Sequence, residues 1–60
     1  MKKGTIVKCL STGDKSWITV GHLYVVQYEH RVYSEWINIR EDTGYVQDYP
    51  KQLFKIILEP

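Results

Sequence analysis

The chain has 60 residues and a formal net charge of +1, from eight Lys and Arg against seven Asp and Glu. So short a chain predicts one small domain, residues 1–60, without internal disulfides, since its single cysteine is Cys9. The small charge disfavours proteins that hold nucleic acid or anionic lipid through a strong field of one sign. No apolar run approaches the ~20 residues that span a bilayer, and residues 1–14 lack a signal-peptide core, so we expect a cytoplasmic protein.

The first half of the chain predicts two strands joined by a long loop. Strand-forming residues dominate throughout, with five Tyr, two Trp and no Ala. A first strand is predicted at 5–10, and a polar loop follows at 11–16. An apolar alternation then resumes over 17–20, is interrupted at Gly21, and is strongest over 23–28, where we expect the second strand.

The middle of the chain predicts a hairpin. A polar connection at 29–33 precedes a clean alternation over 34–40, in which Ile37 and Ile39 share one side and Trp36 the other. The segment EDTG at 41–44 predicts the hairpin loop, with Gly44 taking a positive φ.

The last part of the chain predicts two more strands separated by a corner. A short strand is expected at 45–49, and Pro50 should end its ladder because proline has no N–H donor. Residues 51–53 are long enough for a single 3₁₀ turn, and the last strand should cover 54–58. The prediction is an all-β fold, in which five short strands close into a small barrel and so leave no open edges.

Ordered marks along residues 4–58 support a more specific interpretation. They are Ile18 and Val20 ahead of Gly21, Tyr24 and Val26 after it, Trp36 at the third strand, Thr43 and Gly44 in the distal turn, and Tyr49 and Pro50 leading to Leu53 and Phe54. This order resembles the Src-homology-3-type barrel, which implies a small five-stranded Src-homology-3-like barrel with a short 3₁₀ turn before the last strand. More narrowly, VKCL, ITVGHLYVV, IREDTG and YPKQLFKII look like very small barrel proteins encoded by tailed bacteriophages and prophages, mostly of unassigned function.

The resemblance carries only part of a ligand groove. Src-homology-3 domains bind polyproline peptides in an aromatic groove, and of its residues only Trp36 and Pro50 carry over. The first strand has VKCLS where the groove needs aromatic rings, Leu53 replaces a tyrosine, and Asp14 is the single acidic residue of the long loop. Recognition of proline motifs is therefore not expected.

The candidate binding residues are aromatic groups that so small a chain cannot bury together. Trp36 should face outward because the isoleucines beside it face inward, and it either anchors a partner or covers the side of the barrel. A contact surface around Trp36 is predicted to contain Tyr28, Tyr33, Pro50, Tyr45 and Arg40.

The remaining chemically active residues favour structural roles. We expect Trp17 to plug the barrel end and Cys9 to be a small buried residue. Turn capping accounts for Asp14, Asp42 and Asp48, while His22 and His30 lack further ligands at metal spacing. The sequence therefore predicts no catalytic residue, metal or cofactor.

The leading hypothesis is a non-enzymatic, phage-encoded adaptor or inhibitor that binds a host or phage protein and is itself a monomer or homodimer. The alternative is a nucleic-acid-associated barrel of the Tudor or KOW type that uses Lys8, Arg31, Arg40 and Lys51. A third possibility is a small structural component of a phage assembly.

Overall fold

The computed structural model describes residues 1–60 as one five-stranded antiparallel sheet. The strands are β1 (Ile6–Cys9), β2 (Leu23–Tyr28), β3 (Trp36–Arg40), β4 (Val46–Pro50) and β5 (Phe54–Leu58), and a 3₁₀ turn at Lys51–Leu53 precedes β5. The all-β prediction and the short turn are thereby confirmed. The protein has no helix of the length and apolar character needed to cross a membrane.

The strand order in the sheet is β4-β3-β2-β1-β5, so the last two strands form its two edges. The predicted closure of the sheet is not seen, because β4 and β5 do not pair. The 3₁₀ turn explains this arrangement. The N–H of Lys51 donates to the Glu35 carbonyl just before β3, whereas the Leu53 carbonyl accepts from Leu10 just after β1. The turn therefore carries the chain from the neighbour of β3 to the neighbour of β1.

Pro50 is the last residue of β4, opposite Trp36, so the ladder ends there as predicted, one residue beyond the expected strand at 45–49. Hydrogen bonds on this ladder join Glu41 to Tyr45 and Lys51 to Glu35, so alternate residues of β4 direct their backbone groups toward β3. Pro50 belongs to the other set, which faces the open edge. Its missing N–H therefore costs no ladder bond, as is usual for proline in an edge strand.

The core consists of the inward-facing residues of every strand. Paired residues across the sheet are buried together: Val7 with Tyr24, Val26 with Ile39, Ile37 with Tyr49, and Cys9 with Phe54. The Tyr24 and Tyr49 rings contact Phe54 edge to face at centroid distances of 6.1 and 6.3 Å. Burial of Cys9 as a free thiol agrees with its predicted role, and burial raises its pKa.

The segment 17–20, predicted as an apolar alternation before the second strand, is part of the long loop instead. Ile18 alone of its side chains is buried, while Trp17 is about half exposed and so does not plug the fold. The loop is held at both ends by backbone bonds. The Trp17 carbonyl accepts from Asp42 at 2.9 Å, and Gly21 donates to Cys9 at 2.8 Å.

The hairpin loop between β3 and β4 forms as predicted, with Gly44 at φ 95°. Glu41 is buried and its Oε1 accepts hydrogen bonds from the N–H groups of Thr43 and Tyr45 and from the Thr43 hydroxyl. The Glu41 carboxylate therefore stabilises the turn, because it accepts hydrogen bonds from two backbone N–H groups of the loop.

Asp42 connects this hairpin loop to the long loop and the core. Its carboxylate accepts from the Tyr24 hydroxyl at 2.6 Å and from the Thr19 hydroxyl at 2.7 Å. The Tyr24 hydroxyl in turn accepts from the Thr19 N–H at 2.8 Å. These bonds, that of Tyr24 foremost, lower the pKa of Asp42. The predicted turn cap by Asp42 is therefore not seen: Glu41 holds the turn, and Asp42 bonds to Thr19 and Tyr24 instead.

Candidate protein-binding face

Four ring-bearing side chains gather where β2 ends and β3 begins. We call this set, Tyr28, His30, Tyr33 and Trp36, the aromatic face. Tyr28 pairs with Asn38 of β3, and residues 29–35 connect the two strands. Tyr28, Tyr33 and Trp36 remain 59%, 66% and 44% exposed. The sheet therefore presents three large rings to solvent on one corner.

Contacts between the rings order this corner. His30 lies edge to face with Tyr28 at a centroid distance of 5.2 Å and with Tyr33 at 6.5 Å. Such tilted arrangements are the favoured geometry of aromatic pairs. The N–H of Trp36 donates to the Tyr33 carbonyl at 3.1 Å, which closes a turn just before β3. The rings are therefore positioned by the fold before any partner arrives.

A carboxylate lies beside His30, Tyr33 and Trp36 of the aromatic face. Asp48 of β4 lies opposite Asn38 in the ladder, and its Oδ1 accepts from the Asn38 amide at 2.8 Å. The same Oδ1 lies 2.8 Å from Nε2 of His30. The bonds from Asn38 and then from His30 lower the pKa of Asp48, because both stabilise the charged form. An ionised group is thus held among the rings at neutral pH.

Three shallow depressions adjoin along this side of the molecule. One of about 220 Å³ is lined by His30, Tyr33, Trp36 and Asp48. A second of about 400 Å³ lies on the other side of Trp36, against Pro50 and the 3₁₀ turn. A third of about 200 Å³ runs between Asp48 and Trp17 of the long loop. Neighbouring depressions share a lining residue, Trp36 or Asp48.

The structure brings together four of the six residues predicted for the contact surface and separates the other two. Tyr28, Tyr33, Trp36 and Pro50 lie at one end of the hairpin, whereas Tyr45 and Arg40 lie at its turn. Arg40 is four residues along β3 from Trp36, or about 13 Å at the usual rise of a strand. Its guanidinium donates to the Gly44 carbonyl at 2.8 Å. Tyr45 and Arg40 therefore do not belong to the aromatic face.

Sequence reasoning missed His30 and Asp48 as members of the site. Asp48 was expected to cap a turn, yet it lies within β4. A signal for its role exists in the sequence, since a hairpin centred on Thr43 places Asp48 opposite Asn38. His30 offers no comparable signal, because its contact with β4 depends on the path of the loop at 29–35. The position of an irregular loop is not fixed by periodicity.

Comparison of the chain with protein-family models, with curated proteins and with solved structures gave no match. Any functional argument therefore depends on the aromatic face itself.

Proposed function

We propose that the protein is a non-enzymatic binding module that contacts a partner protein through the aromatic face. The observation that carries this proposal is the exposure of Tyr28, Tyr33 and Trp36 around one ionised carboxylate. With about 200 Å² for each ring, their exposed parts amount to roughly 350 Å². That is the size of the largest apolar patch on a typical monomer, which is often functional.

The composition of the face supports a protein partner over nucleic acid. Tyr and Trp are enriched in the centres of protein interfaces, where a few anchors supply most of the affinity. The basic residues of the alternative hypothesis lie on different elements: Lys8 on β1, Arg31 in a loop, Arg40 at the hairpin turn and Lys51 in the 3₁₀ turn. A backbone of phosphates would need them along one track.

The surroundings of His30 support the non-enzymatic part of the proposal. Its Nε2 bonds to Asp48, and no hydroxyl or thiol side chain is hydrogen-bonded to the ring. A nucleophile activated by histidine would require such a bond. The pair therefore serves to orient the aromatic face.

The same proposal extends to the fold type and the origin of the protein. The strand order, the long loop between β1 and β2 and the 3₁₀ turn before β5 support a Src-homology-3-like barrel in which β4 and β5 do not pair with each other. On its resemblance to phage-encoded barrels, we propose a phage protein that acts on a host factor in the cytoplasm. An experimental structure with a different strand order would contradict the fold assignment.

Affinity purification with matched variants tests the function. The parent, Trp36→Ala and Tyr45→Ala would be used as baits in expressing cells, after circular dichroism has shown that each variant folds. A central aromatic anchor typically contributes about 2 kcal/mol, so Trp36→Ala should reduce capture of the partner by about thirtyfold. Tyr45→Ala removes an exposed ring outside the face and should capture as the parent does. Equal capture by the folded Trp36→Ala variant would contradict the proposal.

A further inference from the structure

The depression between His30, Tyr33, Trp36 and Asp48 has the chemistry of a site for an organic cation. Aromatic rings form most of its lining, and the negative faces of such rings attract cations within about 6 Å of the ring centroid. Asp48 is the one carboxylate in the lining, and no Lys or Arg contributes to it. The depression therefore carries the negative charge of Asp48, which no Lys or Arg of the lining neutralises.

The free hydrogen-bonding capacity of Asp48 narrows the kind of cation. Both protein donors, from His30 and Asn38, bond to Oδ1, while no protein group donates to Oδ2. The side chain of Asp48 is 48% exposed, so a ligand can reach it. In the depression between Asp48 and Trp17, Lys15 lies 3.7 Å from Asp14 and makes no ion pair with Asp48. One acceptor oxygen is thus available to a bound cation.

We propose that this depression binds the dimethylated ammonium group of a methylated lysine side chain on the partner protein. This inference rests on the proposed function and names the chemical group that the aromatic face recognises. A dimethylammonium group has one N–H, which matches the one free oxygen of Asp48, and its methyl groups contact the rings of Tyr33 and Trp36.

The alternatives within the lysine series fit less well. An unmodified ammonium can donate one N–H to Asp48, but it carries no methyl groups to contact the rings and is more strongly hydrated than a methylated one. A trimethylammonium group keeps its attraction to the rings but has no N–H for Asp48. The expected order of affinity is therefore dimethyl-lysine first, trimethyl-lysine second and unmodified lysine last.

Titration of the whole protein with capped amino acids, followed by nuclear magnetic resonance, tests this order. The probes are N-acetyl lysine amide with zero, two and three methyl groups on Nζ. The dimethyl probe should shift the indole N–H of Trp36 and the ring signals of Tyr33 with a dissociation constant on the order of 10 mM. No shift up to about 50 mM, or equal affinity for the unmethylated probe, would overturn the proposal.

Two variants connect the binding to Asp48. Asp48→Asn keeps an oxygen that accepts from His30 and Asn38 but removes the charge, so it should weaken dimethyl-lysine binding by about fivefold. Tyr45→Ala should leave the titration unchanged. Undiminished affinity in Asp48→Asn would overturn the assignment of the cation to this depression.

The lysine titration and the capture of a partner test the cation site and the proposed function separately. A partner whose capture depends on Trp36, together with no response to any lysine probe, would retain the binding face and overturn the cation site. A response to dimethyl-lysine that is weakened in Asp48→Asn supports the site whether or not a cellular partner is captured.

Discussion

The regions around Asp42 and Asp48 use the same chemistry with different consequences. Each carboxylate accepts two side-chain hydrogen bonds, and in each case these bonds lower the pKa of the aspartate. The bonds of Asp42 reach Tyr24, a core residue of β2, whereas those of Asp48 reach His30, whose neighbouring rings stay exposed. Hydrogen bonding alone therefore does not distinguish the aspartate that is joined to the core from the aspartate of the candidate binding face. The burial of their hydrogen-bond partners distinguishes them.

The largest effect is expected for a substitution of Asp42, which should lower the free energy of unfolding. Asp42→Ala removes both bonds and leaves the buried Tyr24 hydroxyl without its acceptor. Hydrogen bonds to charged groups contribute about 1.5 to 3 kcal/mol, and the exposure of Asp42 lowers that figure, so a loss of about 2 kcal/mol in the free energy of unfolding is expected. Urea denaturation measures it.

Asp48→Ala is the matched variant. Its donors, Asn38 and His30, lie nearer to water and can bond to it once the carboxylate is gone, so the loss should be about 1 kcal/mol or less. Equal losses at the two positions would show that the loop at 29–35 depends on Asp48 as strongly as the long loop depends on Asp42.

The buried residues Tyr24 and Tyr49 allow the effects of single hydroxyl groups to be compared. The Tyr24 hydroxyl donates to Asp42 and accepts from Thr19, whereas the buried Tyr49 hydroxyl has no protein partner. Tyr24→Phe should therefore cost about 1 to 1.5 kcal/mol of unfolding free energy, because Asp42 and Thr19 each lose a bond.

Tyr49→Phe should be neutral or stabilising, since it removes a buried polar group that the protein does not satisfy. The two variants change the same atom in the same kind of residue, and thermal unfolding compares them directly. A cost for Tyr49→Phe as large as that for Tyr24→Phe would mean that its hydroxyl bonds to a group outside the protein.

The stability of the protein should fall at both low and high pH. Asp42 and Asp48 have folded pKa values below the ordinary value, so their contribution is present above about pH 4 and is lost as the pH falls through the folded values. Burial raises the pKa of Tyr24 and Tyr49. The contribution of these two tyrosines to stability is therefore complete below about pH 10 and is lost above it.

Chemical denaturation across the pH range measures both limbs. Asp42→Asn should flatten the acid limb more than Asp48→Asn, because its partner Tyr24 is buried. An acid limb unchanged in both variants would assign the dependence to other carboxylates.

The strands could be predicted from the sequence, because the alternation of residue types along each strand corresponds to the alternation of buried and exposed side chains. Ile37 and Ile39 are buried and Trp36 is exposed, as period-two patterning predicts. The same pattern misassigned 17–20, because Ile18 is buried in the core from the long loop and not from a strand of the sheet. Sheet closure was also mispredicted, since the number of strands does not determine whether the two edge strands pair.

The candidate site was predictable where it depends on strand parity and not where it depends on loops. The outward orientation of Trp36 follows from its neighbours in β3. Tyr45 was predicted to lie near Trp36, but the hairpin register places the two residues at opposite ends. His30 joins the face only through the fold of the loop at 29–35, which no local pattern encodes.

The smallest expected effect is at Tyr45, and it tests whether the exposed rings differ in function. Tyr45 is 72% exposed, and its hydrogen bonds with Glu41 are made by its backbone, which survives truncation of the side chain. Tyr45→Ala should therefore change the free energy of unfolding by less than about 0.5 kcal/mol, as measured by urea denaturation. A larger loss would mean that the ring shields the turn held by Glu41, and Tyr45 would then have a structural role that its exposure conceals.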